Sequence, residues 1–131
     1  MIKHLALALA ALLLTATLAA AQNVTITGNL LLGCGAATGT SNASTLANKC
    51  GAITTESVTT AAAATFTETI TNTVVAATDV CLASVSTTGT GTPAIARITP
   101  AASSLVILVQ NIHASAAFNN TLLITFVCFK A

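Results

Sequence analysis

The chain reads as a single all-β domain, an antiparallel β-sandwich or jelly roll, preceded by a cleaved N-terminal signal helix. Three observations predict this. The first 21 residues combine a basic start with an apolar run. About one residue in five after that point is threonine. Alternating or continuous apolar stretches then recur roughly every ten residues, separated by Gly, Pro, Asn and Ser.

The signal segment opens on Met1-Ile2-Lys3-His4. It continues through the apolar run Leu5 to Leu14 and closes on Ala19-Ala20-Ala21. A positive start, an apolar centre and a small-residue cleavage site are the layout of a secretory signal peptide. The rival reading is a membrane anchor, which needs roughly 20 strongly apolar residues. Here Thr15, Thr17 and several alanines dilute the leucines, and no stop-transfer charges follow. Cleavage after Ala21 leaves residues 22–131 as one secreted domain, too short for two.

Charge is sparse. Glu56, Glu68 and Asp79 balance Lys49, Arg97 and Lys130 in the mature part. No basic stripe fits a nucleic acid backbone, and no lysine cluster fits an anionic membrane. Neither is expected as a partner, and no cofactor is expected. Near-zero net charge favours association. Trp and Tyr are absent, which removes the usual aromatic anchors of specific interfaces.

Threonine, valine and isoleucine suit a pleated surface because their Cβ is branched. Val24 to Gly28 reads as a first strand, extended by Leu30 to Leu32. Residues 34–50 form an aperiodic Gly/Ser/Thr-rich stretch, read as a long irregular loop. Order resumes at Ala52 to Thr55, and Ala61 to Ala64 is a loop or strand entrance. Thr65 to Thr73 alternates strictly, with threonines on one face and Phe66, Glu68, Ile70 and Asn72 on the other. A strand falls within Val74 to Val85, with Val80 and Leu82 on one face and Cys81, Ala83 and Val85 on the other. Thr87 to Pro93 is a turn, and Ala94 to Thr99 is a strand broken at Pro100. Leu105 to Ile112 and Leu122 to Phe129 are apolar on both faces, so a wet outer face is not expected for either. That predicts a homo-oligomer.

Thr40 to Thr54, with Asn48-Lys49-Cys50-Gly51-Ala52-Ile53-Thr54 at its end, resembles a segment of a widespread family of phage and prophage structural proteins. Thr65 to Val80, including Ile70-Thr71-Asn72 and Ala76-Ala77-Thr78-Asp79, is similar to a second segment of that family. Leu108-Val109-Gln110-Asn111 and the terminal Ile124 to Lys130 resemble two more. The likeness covers most of the mature chain. It implies a small β-domain in virion or tail-associated proteins, with no catalytic residues to carry over. The signal peptide departs from the family.

Four cysteines in an exported chain point to disulfides, with three pairings open. Cys34 and Cys50 flank the irregular stretch, and joining them would pin it. Cys81 and Cys128 stand where the resembled family has apolar residues, which implies that they were gained as a pair. No C-x-x-C spacing supports a metal site. His113, the single histidine of the mature chain, would need a nucleophile and an orienting acid such as Ser115 or Asp79 for catalysis. It is read as a loop residue, and Glu68 and Arg97 as lone charges, solvated or paired across strands. Three N-x-S/T sequons place glycans on Asn23, Asn42 and Asn119 in a eukaryotic secretory pathway.

The expectation is a secreted, non-catalytic, self-assembling or surface-recognition domain, trimeric by analogy with fibre-type jelly rolls. The alternative is a carbohydrate or cell-surface binding module using surface glycans through the Gly/Thr-rich loops. An ice-binding role for the Thr65 to Thr73 ladder, or a small secreted enzyme, is the distant alternative.

Overall fold

The structure, a computed structural model, describes residues 33–131, so the signal segment, Asn23 and the strand expected at Val24 to Leu32 lie outside it. Eight strands make up the described part: β1 (Gly35–Thr38), β2 (Ala43–Thr45), β3 (Cys50–Thr54), β4 (Thr65–Thr71), β5 (Val80–Thr87), β6 (Pro93–Ala101), β7 (Ser104–Asn111) and β8 (Leu122–Phe129). They form two four-stranded sheets. Sheet I has the order β1-β3-β8-β5 and sheet II the order β2-β4-β7-β6.

Two expectations are corrected. The sheets are mixed and not purely antiparallel, because β1 runs parallel to β3 and β2 parallel to β4. The chain changes sheet at every connection except β6 to β7. A strand in one sheet therefore serves as the crossover that a parallel pair in the other requires. The second correction concerns residues 34–50, which contain β1 and β2 and are no continuous loop. Both strands are too short to show a period. They are held as edge strands, assisted by Gly39 N–H donating to Thr54 O and Thr69 N–H donating to Asn42 O.

β4 buries Phe66, Glu68, Ile70 and, just beyond its end, Asn72, and it exposes its threonines. β6 runs through Pro100 to Ala101. Proline is tolerated there because β6 is an edge strand with one side free of ladder bonds. A two-residue turn, Ala102 and Ser103, links it to β7, with Ser103 at φ 64°.

The two all-apolar runs, β7 and β8, are inner strands of their sheets. Leu105, Ile107 and Val109 from β7 meet Leu122, Ile124 and Phe126 from β8 in a core that also holds Ile53, Ile70 and Phe118. Outward residues of β7 such as Leu108 are half-buried between Thr67 of β4 and Arg97 of β6. An inner position accounts for the two-faced apolar pattern of β7 without a second subunit. β8 differs, since Leu123 and Phe129 on its outer side remain exposed.

Candidate functional site

The outer face of sheet I is the most apolar surface among the described residues. Alternation sends Cys81, Ala83 and Val85 of β5 toward the core and Val80 and Leu82 outward. The register places Val80 opposite Phe129 and Leu82 opposite Val127. Val80 is 57% exposed, Leu82 60%, Phe129 50% and Leu123 43%. No charged residue lies on β3, β5 or β8. A shallow, mostly apolar groove of about 360 Å³ runs across this face, lined by Leu82, Ser84, Thr125, Val127 and the Cys34–Cys50 bridge.

Both disulfides belong to sheet I. Cys34–Cys50 joins the entry of edge strand β1 to β3, with Cα atoms 4.8 Å apart. Cys81–Cys128 joins directly opposed residues of β5 and β8 on the core side, with Cα atoms 4.1 Å apart. No cysteine among the described residues is free. Two disulfides are compatible with an oxidising, extracellular location.

Sheet II presents the opposite surface. Its outer face carries Thr65, Thr67, Thr69 and Thr71 from β4, Thr45 from β2 and Thr99 from β6. A polar groove of about 520 Å³ lies beside β4, lined by Asn42, Glu56, Ser57, Thr59, Thr60, Thr65 and Thr67.

The charged groups do not converge. Asp79 is buried, accepting from Lys49 Nζ and from Ala76 N–H (2.8 Å). The Lys49 hydrogen bond, with help from the Ala76 amide, holds its carboxyl below the ordinary value. His113 follows β7, whereas Asp79 precedes β5, so the two lie at opposite ends of the sandwich. His113 Nδ1 accepts from the Ser115 (3.1 Å) and Ala116 (2.8 Å) amides, which shapes its own loop. Arg97 is exposed, beside a bulge. Among the described residues no three His, Cys, Asp or Glu side chains gather into a metal-holding group.

Glu68 was expected to be solvated or paired and is neither. It is 0% exposed, and its two carboxyl oxygens, like Ser44 Oγ, have no hydrogen-bond partner among the described residues. Gly39 makes room for it: a Cβ there would stand 2.9 Å from Glu68 Oε1. Burial pushes the carboxyl above its ordinary value. The nearby Ser44 hydroxyl pulls it down, and the charge of Glu56 pushes it up. The signal was present in the sequence, since Glu68 shares its strand face with Phe66 and Ile70.

Asn111 was also missed as a structural hub. It occupies the inward parity of β7 and is fully buried. Its Oδ1 accepts from Thr92 (3.0 Å) and His113 (3.2 Å) amides, and its Nδ2 donates to the carbonyls of Thr60, Ala61 and Ala116. One side chain thus ties three loops at one end of the sandwich. Phe118 is buried beneath them against Gly91, which adopts φ 87°. The sequon residues Asn42 and Asn119 are exposed, and Asn119 Oδ1 accepts from Thr90 N–H at 2.6 Å.

No protein-family model matches this chain, no curated protein matches it, and no solved structure matches it.

Proposed function

We propose that this chain is an exported, non-catalytic structural domain that works by associating with copies of itself. The outer face of sheet I carries this reading. Val80, Leu82 and Phe129, at their exposures, leave on the order of 300 Å² of adjoining apolar surface open, a patch size that is often functional. Near-zero net charge and the absence of charge on β3, β5 and β8 favour association with a second copy. The segmental likeness to phage structural proteins supports the same role, with the cysteines suiting it to an oxidising compartment. Negative-stain microscopy of the purified protein tests it: ordered oligomers or filaments without added ligand are expected, and dispersed single domains would contradict it.

A second reading follows from the hydroxyl-lined groove beside β4, which suits a polar glycan. Its aromatic residue, Phe66, is buried and offers no stacking face. Saturable binding on a glycan array, abolished by Thr65→Ala with Glu56→Gln, would favour this reading.

A further inference from the structure

The four sheet edges are not equivalent. β1 has 4 residues and β2 has 3, each too short to template much pairing. β6 is long, but Pro93 and Pro100 lack an N–H, the register slips between Ile95 and Arg97, and Arg97 stands exposed there. Prolines, bulges and charges are the devices by which sheets keep an edge from pairing with another chain. β5 has none of them. It is 8 residues long, Val-Cys-Leu-Ala-Ser-Val-Ser-Thr, with no proline, charge or bulge, and among the described residues it pairs with β8 alone.

The geometry also shows which backbone groups are free. Directly opposed residues of an antiparallel pair alternate between hydrogen-bonded pairs, with Cα atoms about 5.5 Å apart, and closer pairs without mutual bonds. Cys81 and Cys128 are opposed at 4.1 Å and therefore belong to the closer kind. The N–H and C=O of Cys81, and by alternation those of Ala83, Val85 and Thr87, then point away from β8 toward the open edge. Among the described residues no loop contributes a backbone bond to them.

We infer that β5 pairs antiparallel with β5 of a second copy across a two-fold axis, joining two copies of sheet I into one continuous sheet. This rests on the self-association proposed above and assigns the contact. A two-fold pair keeps each face of the sheet in register only if like parities meet. Centring the axis on Ser84 satisfies this. Ala83 then exchanges bonds with Val85 of the second copy, and Cys81 with Thr87. Val80, Leu82, Val127 and Phe129 of both copies come to lie on the same face, as two apolar patches with Ser84 of each copy between them. Such a contact is self-complementary and closes, so assemblies built on it are even-numbered, in place of the trimer that analogy with fibre proteins predicts.

The test combines one variant with one measurement on the native protein. Ala83→Pro removes a donor that the fold itself does not use, and an edge strand tolerates proline. It should leave the monomer folded by circular dichroism and weaken association on the order of 100-fold. In the native protein at high concentration, the amides of Cys81, Ala83, Val85 and Thr87 should be protected from hydrogen exchange, and dilution should release them. Should Ala83→Pro unfold the domain, these amides decide the matter alone. If they exchange freely in an assembly that Leu82→Asp dissolves, the edge contact is wrong and face-mediated association stands. If the native protein is monomeric at every concentration, the edge contact and the proposed function both fall.

Discussion

Sheet I and sheet II share one core yet face solvent in opposite ways. Sheet II shows a threonine ladder outside, and its longest edge, β6, is interrupted by prolines, a bulge and Arg97. Sheet I shows Val80, Leu82, Leu123 and Phe129 outside, holds both disulfides, and ends on an uninterrupted β5. Sheet II ends in hydroxyls and an interrupted edge, whereas sheet I ends in apolar side chains and an uninterrupted one. Hydroxyl groups satisfy sheet II in water. Sheet I leaves apolar area and backbone bonds unused among the described residues, and the proposed self-association would use both.

Leu82 is the most exposed large apolar residue on the outer face of sheet I. In the inferred β5–β5 pair Leu82 lies beside Ser86 of the second copy, and a symmetric contact counts it twice, so Leu82→Asp should weaken association on the order of 10-fold by sedimentation velocity. Thr67→Asp on sheet II should leave association unchanged. A comparable loss from both variants would erase the distinction between the faces.

The two disulfides of sheet I close loops of different length. Replacing Cys81 and Cys128 by alanine opens a loop spanning 47 positions and should cost about 4 kcal/mol of monomer stability. Removing Cys34 and Cys50, 16 positions apart, should cost about 3 kcal/mol. Urea unfolding of both double variants, made on an Ala83→Pro background to remove self-association, gives the ranking.

Glu68 reverses the usual expectation for a charge-to-neutral change. Its folded carboxyl keeps a proton that the unfolded chain releases near pH 4.5, so folding takes up protons. Stability from this group is therefore complete below that pH and declines as pH rises through the raised folded value. Glu68→Gln should raise the melting temperature at neutral pH and flatten its fall between acid and neutral conditions. Asp79 has the opposite sign: its contribution is present above about pH 3.8 and is lost as pH falls through its lowered folded value. The smallest effect is expected from Thr69→Ala on the outer ladder of sheet II, within about 0.5 kcal/mol in thermal unfolding.

Much of the strand pattern was legible. The period of two from Thr65 to Thr73 marked β4 and its faces, and the Val80/Leu82 against Cys81/Ala83/Val85 division of β5 held. β1 and β2 were not legible, because strands of 4 and 3 residues carry no period and exist through their neighbours. Parallel pairing was hidden for the same reason: it depends on which sheet each connection enters, a long-range property. The apolar outer face was half legible. Two-faced hydrophobicity marked β7 and β8 alike, but only β8 leaves it exposed, because the β7 residues are flanked by Thr67 and Arg97. Asn111 and Glu68 stood at inward parities of their strands, and that parity was the available signal for both.

Light scattering on the purified native protein across a concentration series tests the central claim most directly. A mass that rises to an even multiple of the protomer, and returns to the protomer on dilution, is the predicted result. A protomer mass that stays constant to the highest attainable concentration would contradict the account.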